Sequence, residues 1–510
     1  QGIEFDYGCV HAVGAIRDLG QEAIIINNNP ETVSTDFDTS DRLYFDPLTL
    51  EHTSEVLLRE QAHGILLQFG GQTAINLALP LSSRLPHLKE MGLNLSMEGT
   101  SPDAVDEASD RERFERFAER VGLRMPNGTT ASTPEKVRES VHKIGYPVLL
   151  RPSYVLGGRG MEILSNDRQL EAYMQDAFLS PERPLLVDEY LGNAIELDVD
   201  AVCDGDEVLI GAIMEHLEEA GIHSGDSTCF IPPQNVSRKI IAQVEEWTEK
   251  IGIELGIKGC FNIQYAIRGE TLYVLEVNPR GSRTFPFVAK ATGVPLARIA
   301  ARLSLGEKLQ DLTIPKPQND AVCVKAPVFP FIKLRGLDPA PGPEMKSTGE
   351  VMGSHARPAA AYLKARLATE LPVPTEGGVY ITVKNADKHD VIPLAQELEE
   401  MGFTIYATRG TAHVLRDSGG VEVRTCYRIA EGLTPDALDL MRQGNIQLII
   451  NTPRNTGGAV LDGNMMRRLA VELNIPFVTT MAGARMEVQA IGEAMIGIPE
   501  PRLLDIAVLK

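Results

Sequence analysis

Residues 264–283 read Gln-Tyr-Ala-Ile-Arg-Gly-Glu-Thr-Leu-Tyr-Val-Leu-Glu-Val-Asn-Pro-Arg-Gly-Ser-Arg, and the rest of the chain is interpreted from them. Residues 261–267 alternate apolar and polar side chains, which predicts a half-buried strand. A two-residue turn leads to a second predicted strand at residues 271–277. In such a hairpin Gln264 and Glu276 project from neighbouring strands into one site.

The polar residues that end this hairpin have the chemistry of a phosphoryl-transfer site. Asn278 follows Glu276 by two residues, so both side chains point to one face of an extended chain. Pro279 favours a strand end, and Arg280 and Arg283 follow. Carboxylate and amide oxygens suit Mg²⁺, and guanidinium groups suit a transferring phosphoryl group. The alternative is an ordinary hairpin with a solvated polar end.

The composition is that of a globular protein with several domains. Its 510 residues exceed one typical core, so we expect three or four domains. The hydrophobic share is 43% and the charged share is 23%, as in globular proteins. The 49 basic and 70 acidic residues give a net charge of −21. This charge argues against a general nucleic-acid-binding surface.

Cysteine usage and hydropathy indicate a cytoplasmic protein. None of the six cysteines forms a C-x-x-C pair, so we expect neither a zinc site nor a disulfide framework. No run approaches the roughly 18 apolar residues of a membrane span, and no signal-peptide pattern is present. Because the chain opens on Gln1 rather than Met, we expect that natural residues precede it.

Residues 1–105 predict an α/β domain. Apolar runs at 22–27 and 64–68 are typical of buried parallel strands, and a helix is expected around residues 11–19. A Gly-Gly-Gln-Thr turn at 70–73 leads into another helix, which suggests a doubly wound layer. The polar loop at 29–36 is interpreted either as a site wall or as a capped turn. No G-x-G-x-x-G supports a dinucleotide site.

Residues 106–300 contain the remaining candidates for a nucleotide site. A charged helix opens near Arg111, and a short strand at 146–150 leads to the Gly-rich loop at 156–160, a weak signal for phosphate binding by itself. A strand at 185–187 precedes Glu189, and Glu196 is placed just before a strand at 197–202.

Two histidines in the next segment, His216 and His223, allow a zinc interpretation. Because no cysteine lies at a zinc-like spacing, residues 216–227 are interpreted as a polar loop that lines an anionic site rather than as a zinc site. Further on, four apolar residues recur at helical spacing and are expected in a core: Ile240, Val244, Trp247 and Ile251.

Residues 146–159, 216–227 and 276–292 together resemble an ATP-grasp ligase, and more narrowly the large subunit of carbamoyl phosphate synthetase. Arg-Pro-Ser-Tyr-Val-Leu-Gly-Gly-Arg and Glu-Val-Asn-Pro-Arg-Gly-Ser-Arg-Thr-Phe-Pro-Phe-Val match the second of that family's two homologous synthetase halves better than the first. The loop at 29–41 and the Gly-Gly-Gln-Thr turn match as well. The resemblance therefore covers almost the whole chain.

The resemblance implies an α/β fold class and three domains. It places a pre-ATP-grasp, Rossmann-like domain at residues 1–105 and an ATP-grasp domain at residues 106–300. A proline-rich connector, in which regular structure is expected to be broken, spans residues 301–370. A methylglyoxal-synthase-like domain occupies residues 371–510. A Gly-rich turn of the family would lie just before Gln1.

The resemblance also assigns roles to individual residues. Catalytic contacts to the acceptor and the phosphoryl group fall to Arg280, Arg283 and Asn278. Divalent ions, two per site and either Mg²⁺ or Mn²⁺, would be bound by Gln264, Glu276 and Asn278, with Glu276 between the two ions and K⁺ as a further candidate. The ATP site would comprise Arg111, Arg151, Glu189, Leu191, Glu196, Gly221, Ile222, His223, Ser224, Gln264 and Glu276.

The implied reaction is the attack of a carbamate oxygen on the γ-phosphate of ATP, which gives carbamoyl phosphate and ADP for pyrimidine and arginine biosynthesis. The implied partners are a small glutaminase subunit and the first synthetase half, within an oligomer and without nucleic acid or membrane. Two alternatives stay open: an ATP-grasp ligase that acts on another carboxylate, and a non-catalytic nucleotide-sensing subunit.

The last two regions predict regulation by a small molecule. Ornithine-responsive family members carry a glutamate where this chain has Ala326, so we expect no ornithine activation, although Glu218 and Asp226 are present. In residues 371–510, strands at 379–383, 403–407 and 448–450 end in polar turns that suit an anion or simply cap helices. By resemblance, a pocket for a nucleotide monophosphate such as UMP or IMP would comprise Lys388, Thr408, Thr411, Arg428, Asn451 and Thr452.

Overall fold

The computed structural model describes residues 2–152, 160–176, 184–318, 320–331, 338–452 and 458–502. All but the last residue of the predicted Gly-rich loop at 156–160 lies outside these residues. No helix within the described ranges is long and apolar enough to cross a bilayer.

The N-terminal region alternates helices with short parallel strands, as the sequence predicts. Strand β1 pairs with β2 and β3 pairs with β4, both in parallel. The first helix begins at Ile3 rather than near residue 11, with Glu4 and Asp6 in its first turn, where carboxylates favour a helix N-terminus. The elements are α1 (Ile3–Asp18), β1 (Ile24–Ile26), β2 (Arg42–Tyr44), α2 (Leu50–Glu60), β3 (Gly64–Leu66), α3 (Gly71–Ile75), α4 (Ala78–Glu90), β4 (Ser96–Glu98) and α5 (Pro102–Ser109).

A small antiparallel sheet follows. Its four strands lie in the order β5-β8-β6-β7, and helix α6 begins at Arg111, where the side chain of Asp110 accepts a hydrogen bond from the Arg113 backbone. The elements are α6 (Arg111–Val121), β5 (Gly128–Ala131), α7 (Pro134–Ile144), β6 (Val148–Pro152), β7 (Glu162–Leu164), α8 (Asp167–Asp176) and β8 (Leu185–Glu189).

A seven-stranded antiparallel sheet forms the centre of the molecule, in the order β13-β12-β9-β10-β11-β14-β15. Helix α9 packs on one face with the predicted apolar residues 240, 244, 247 and 251, and helices α10 and α11 pack on the other. The elements are β9 (Ile195–Asp204), β10 (Val208–Glu219), β11 (Cys229–Ile231), α9 (Arg238–Glu254), β12 (Lys258–Arg268), β13 (Thr271–Asn278), α10 (Phe285–Thr292), α11 (Leu296–Ser304), β14 (Val322–Val328), β15 (Gly349–His355) and α12 (Pro358–Ala368).

Four predictions are wrong in this region. Strand β12 is buried on both faces rather than one, because helices cover the sheet on each side. Glu196 and His216 lie within strands β9 and β10, not beside a strand or in a loop. Residues 322–328 and 349–355 of the expected connector extend the sheet. Pro327 is accommodated because the pairing of β14 with β11 covers residues 323–325 and ends before it.

The C-terminal region contains a five-stranded parallel sheet in the order β18-β17-β16-β19-β20. The chain runs outward from β16 in one direction and then crosses to β19 on its other side, which makes a topological switch point between β16 and β19. The elements are β16 (Gly378–Thr382), α13 (Ile392–Glu400), β17 (Thr404–Thr408), α14 (Arg409–Gly419), β18 (Val423–Cys426), α15 (Ala437–Arg442), β19 (Leu448–Asn451), α16 (Gly458–Glu472), β20 (Phe477–Val478) and α17 (Met481–Ile496).

The core around α6 and α9 predicts a large cost for Phe117→Ala. Phe117 is fully buried in the cluster that also contains Trp247, the single tryptophan of the chain. We expect the variant to lose about 3–5 kcal/mol of stability, because the cavity adds to the lost transfer free energy. Urea unfolding followed by Trp247 fluorescence measures it. The control, Phe37→Ala at a residue that is 97% exposed, should stay within about 0.5 kcal/mol; equal losses would contradict the assignment of this core.

Candidate functional site

The predicted hairpin forms, and it sets the geometry of the site. Gln264 lies directly opposite Glu276, and the register shifts immediately after this pair. The amide Nδ2 of Asn278 donates to Glu276 Oε1 at 2.9 Å. The Glu276 side chain is 41% exposed, so the carboxylate is held by a neighbour and still faces open space. The structure thus brings the three predicted metal-binding residues to one end of β12 and β13.

Arg151 reaches this hairpin from the small sheet and shares an aspartate with Arg111 of helix α6. Arg151 Nη1 lies 3.8 Å from Glu276 Oε2, and Arg151 Nε lies 3.3 Å from Asp188 Oδ2. The other oxygen of Asp188 is 2.9 Å from Arg111 Nη2. Asp188 is buried, and the sequence analysis gave it no role. Its signal was an acidic residue that directly follows a buried apolar strand.

The N-terminal region supplies a wall for Arg280 and Arg283. Arg280 Nε donates to Gln72 Oε1 at 3.0 Å, and its Nη2 donates to Asn278 Oδ1 at 3.1 Å. Burial lowers the pKa of Arg280 from its ordinary value. Arg283 forms an ion pair with Glu4.

Aromatic packing completes this wall. The ring of Phe5 lies 6.0 Å from the Arg280 guanidinium and 5.5 Å from that of Arg283. Neither Phe5 nor Glu4 was identified from the sequence, because their approach to the hairpin depends on how α1 packs against α10 and α11. Such long-range contacts leave no local pattern.

Glu189 is the last residue of β8, and Leu191 follows it by two residues. The carboxylate of Glu189 accepts hydrogen bonds from Asn127 Nδ2 at 2.8 Å and Arg268 Nη1 at 2.7 Å. Burial by itself raises the pKa of Glu189, but the hydrogen bonds from Arg268 and Asn127 and the charge of Arg268 together outweigh it, and the pKa is lowered. Leu191 is buried in a small apolar cluster with Ala220.

Glu196 is buried beneath this region and faces a histidine. Its Oε2 accepts from the Gly221 backbone N–H at 3.4 Å, and its Oε1 lies 3.9 Å from His216 Nδ1. His216 Nε2 is 3.1 Å from Asp198 Oδ2. Burial raises the pKa of Glu196 to about 7. His216 is therefore a core histidine held between two acidic side chains, which accounts for it without zinc.

The predicted polar loop is a tight turn over residues 221–227. Gly221 takes a φ of +95°, and Ile222 is half-buried beside it. His223 Nδ1 accepts from the Gly225 N–H at 3.0 Å, and burial lowers the pKa of His223, so the ring is a neutral acceptor. Ser224 Oγ accepts from Gln264 Nε2 at 3.4 Å, which joins the turn to the hairpin.

Buried charges support this turn from below. The fully buried Lys325 donates to the Ser224 carbonyl oxygen at 3.0 Å. Asp226 accepts from the backbone N–H groups of Lys346 at 2.8 Å and Ser347 at 2.9 Å. The turn is consequently anchored to the segment that leads into β15.

The residues at the hairpin fit a hard divalent cation that also binds phosphate oxygens. In the described parts of the chain, no group of three or more His, Cys, Asp or Glu side chains could hold a metal. Gln264 and Glu276 offer an amide and a carboxylate oxygen at adjacent positions, whereas Asn278 Oδ1 already accepts from Arg280. Such an incomplete set of oxygens is what Mg²⁺ uses when a substrate phosphate completes its shell.

The predicted regulatory residues gather at the carboxyl edge of the parallel sheet. Thr382 pairs with Asn451 across the switch point, and Thr408 ends the adjacent strand. Thr452 Oγ1 accepts from the Lys384 N–H at 2.9 Å, and Asn451 is buried beside it. Carboxyl edges at switch points are where open α/β sheets bind ligands.

Three further predicted residues belong to this edge. Lys388 Nζ lies 3.2 Å from where a Cβ on Gly410 would stand, so its ammonium group reaches the first turn of α14, which also carries the buried Thr411. Arg428 is half-exposed at the end of β18, with Nη2 3.8 Å from Asp462 Oδ2.

One arginine ties this edge to the central sheet. Arg467 Nη1 donates to Asn451 Oδ1 at 2.7 Å, and its Nε and Nη2 donate to the two carboxylate oxygens of Asp338 at 2.9 and 2.6 Å. Lys346 Nζ donates to the Asp338 carbonyl oxygen at 3.1 Å. Because Asp226 holds the Lys346 backbone, the regulatory edge connects with the turn at residues 221–227.

Three family models match the chain. They are the carbamoyl phosphate synthase preATP-grasp domain at residues 1–107, the carbamoyl-phosphate synthase L chain ATP binding domain at 110–312 and the MGS-like domain at 390–479.

Curated relatives match over nearly the whole chain. A carbamoyl phosphate synthase large chain from Methanoregula boonei is 50% identical over 96% of this chain and 46% of its own length. The large chain, C-terminal section, from Methanocaldococcus jannaschii is 48% identical over 98% of this chain and 81% of its own length. The chain thus spans about half the length of the full-length relatives that it matches.

Solved structures share the fold at low identity. N5-carboxyaminoimidazole ribonucleotide synthetase from Thermus thermophilus matches with a TM-score of 0.53 and 17% identity, over 71% of this chain and 94% of its own. Biotin carboxylase from Campylobacter jejuni matches with a TM-score of 0.52 and 17% identity, over 63% and 73%.

The burial of Glu196 predicts a pH-dependent stability difference for Glu196→Gln. The pKa of Glu196 is raised to about 7 in the folded chain, against about 4.3 when unfolded. Between these values ionisation favours the unfolded chain, so the parent protein loses up to about 1.4 kcal/mol per pH unit and the variant does not. The variant should therefore gain relative stability from pH 5 to pH 7.

Urea midpoints at pH 5, 6 and 7, followed by Trp247 fluorescence, provide the measurement. Glu189→Gln is the control: because the pKa of Glu189 is lowered, its contribution is present above the unfolded pKa and falls only as the solution becomes more acidic. Its difference from the parent should be flat over this interval. A flat difference for Glu196→Gln as well would contradict the prediction.

Proposed function

Because this chain belongs to the carbamoyl phosphate synthase large chain family, we propose that it phosphorylates carbamate with ATP. A carbamate oxygen attacks the γ-phosphorus, the bond from this phosphorus to the β–γ bridging oxygen breaks, and carbamoyl phosphate and ADP result. The observation that supports this proposal is the end of the hairpin, where Gln264, Glu276 and Asn278 adjoin Arg151 and Arg280. Phosphoryl transfer requires this combination of positioning and charge neutralisation more than a nucleophile.

The proposed roles follow the contacts. Arg111 and Arg151 bind the ATP phosphates, and Asp188 fixes their direction because it contacts both. Gln264, Glu276 and Asn278 would bind Mg²⁺ or Mn²⁺, two ions per site, which would neutralise phosphate charge; K⁺ is a further candidate. Arg280 and Arg283 hold the acceptor and the transferring group.

The nucleoside part of ATP is proposed to lie over the small sheet's last strand and the turn at residues 221–227. Glu189 and Leu191 would face adenine, and Glu196 would bind the ribose hydroxyls. A burial-raised pKa leaves Glu196 able to donate as well as accept a hydrogen bond near neutral pH. Gly221, Ile222, His223 and Ser224 would line the pocket beside it.

Since the chain spans about half of its full-length relatives, we propose that other polypeptide segments complete the synthesis. A glutaminase subunit would supply ammonia and a first synthetase half would supply carbamate, within an oligomer that serves pyrimidine and arginine biosynthesis. The six cysteines are free thiols, which fits a reducing cytoplasm.

Two other functions are distinguishable. A ligase for another carboxylate is compatible with a fold that biotin carboxylase shares. A nucleotide-sensing subunit without catalysis would have no use for Glu276 held beside Arg151. The acceptor used by the purified chain, and the effect of removing the Glu276 charge, separate the three functions.

The reverse partial reaction gives the sharpest prediction. Carbamoyl phosphate and MgADP added to the purified chain should yield ATP, measured by a coupled luminescence assay. Glu276→Gln should lower this rate roughly 10²–10³-fold, because a charge that binds the reacting centre is lost. Glu270→Gln, in the exposed turn of the same hairpin, is the matched control and should keep the parent rate.

Two outcomes would contradict the proposal. A folded chain that binds MgATP and yields no ATP from carbamoyl phosphate would indicate another acceptor. ATP formation that is unaffected by Glu276→Gln, with folding intact, would place the reaction elsewhere.

We propose that the regulatory edge binds a nucleotide monophosphate such as UMP or IMP; if the effector is UMP, it should inhibit the reaction. Lys388→Ala should weaken UMP binding about tenfold or more, because a charge-assisted phosphate contact is lost. Calorimetry and the ATP-forming assay measure it. Arg442→Ala, at the opposite edge of the sheet, is the control variant and should bind UMP like the parent. Ornithine is the control ligand, because Ala326 stands where ornithine-responsive family members carry a glutamate. If UMP neither binds nor inhibits, UMP is not the effector. Activation by ornithine would contradict the expectation that ornithine has no effect.

A further inference from the structure

Gln68 is a buried amide between the N-terminal region and the end of the catalytic hairpin. It follows β3 by two residues and is 2% exposed. Neither the sequence analysis nor the proposed reaction gives it a role. A buried amide must find partners for both its N–H groups and its oxygen, so the identity of those partners shows what the residue holds.

Its partners are the peptide groups on either side of Arg280. The side-chain Nε2 of Gln68 donates to the Pro279 carbonyl oxygen at 3.1 Å, and the main-chain carbonyl oxygen of Gln68 accepts from the Gly281 N–H at 2.9 Å. The same Nε2 also lies 3.2 Å from the Cys260 carbonyl oxygen in β12. One residue therefore fixes the backbone before and after Arg280 and attaches it to the strand beside it.

The surroundings of the amide are built for close approach. Ser304 Oγ donates to Gln68 Oε1 at 3.3 Å, and Thr100 Oγ1 accepts from Nε2 at 3.0 Å. A Cβ on Gly99 would stand 2.2 Å from Gln68 Oε1, and a Cβ on Gly259 would stand 2.7 Å from it. Two chain segments thus reach the amide only because they lack a side chain there.

The backbone contacts complement those of the Arg280 side chain. Gln72 and Asn278 hold the guanidinium group, and Gln68 holds the peptide groups that carry it. A charged group that acts on a transferring phosphoryl group must be placed within a fraction of an ångström, and a displacement of about 1 Å costs up to about 10²-fold in rate. Preorganisation of this kind comes from supporting residues that do not touch the substrate.

We propose that Gln68 is a positioning residue for the phosphoryl-acceptor site and acts through Arg280. The inference rests on the proposed function, in which Arg280 contacts the acceptor. Gln68 holds the acceptor end of the site and makes no contact with Arg111, Arg151 or Glu189. Its loss should therefore impair the use of carbamoyl phosphate and leave nucleotide binding unchanged.

The test compares Gln68→Met with Ser304→Ala in the reverse reaction. Methionine keeps the volume and removes the bonds to Pro279 and Cys260, whereas Ser304→Ala removes one partner of the same amide and none of the bonds to the hairpin. For Gln68→Met we expect the KM for carbamoyl phosphate to rise or kcat to fall by roughly 10–10²-fold, with the KM for MgADP unchanged. Ser304→Ala should keep both KM values.

Hydrogen exchange of residues 280–284 provides a readout that needs no activity. These amides should exchange several-fold faster in Gln68→Met than in the parent or Ser304→Ala, and those of β8 should not change. Gln68→Asn, whose amide is one methylene too short to span Ser304 and Pro279, replaces Gln68→Met if that variant does not fold.

Unchanged exchange at 280–284 in a folded variant would overturn the proposal, as would a rise in the KM for MgADP equal to that for carbamoyl phosphate. If the parent chain forms no ATP, the proposed reaction fails, and the exchange result still decides whether Gln68 positions Arg280.

Discussion

The register in which β12 pairs with β13 is the constraint on which the site depends. It sets Gln264 opposite Glu276 and carries Asn278 and Arg280 to the same strand end. A slip of one residue would turn every one of these side chains to the other face of the sheet. Register is secured by burial, since α9 covers one face of β12 and α11 the other, and a slip would bury the polar residues against them.

The second organising feature is the burial of charge close to the site in paired form. Asp188 lies between two arginines, Glu196 and Asp198 enclose His216, and Lys325 Nζ lies 3.7 Å from Glu350 Oε2. An isolated buried charge costs several kcal/mol, so each of these groups is stable only in the presence of its partner. The partners consequently fix the geometry more firmly than apolar packing alone, because a small displacement leaves an unsatisfied charge.

Local sequence patterns predicted the parts of the fold that are locally determined. The hairpin, the helix with residues 240–251 and the parallel strands of the last domain follow from periodicity and turn residues, and the structure confirms them. The strands at 322–328 and 349–355 were missed because proline spacing outweighed their apolar pattern, and their stability comes from joining an existing sheet edge. Glu4 and Phe5 were missed because contacts with residues far away in the chain give no local signal, whereas Asp188 was missed although it directly follows a predicted buried strand.

Arg467 has a thermodynamic consequence beyond its structural role. Its guanidinium group is shared between Asn451 at the regulatory edge and Asp338, whose carbonyl oxygen is bound by Lys346. A ligand that took the Asn451 oxygen would change how Arg467 distributes its donors, and the contacts of Asp338 with Lys346 would connect that change with the segment anchored by Asp226. By linkage, the factor by which such a ligand alters nucleotide affinity is the factor by which the nucleotide alters the ligand's own affinity. Under the proposed function, regulation through this arginine would be reciprocal: a chain saturated with nucleotide would bind its effector with a different affinity.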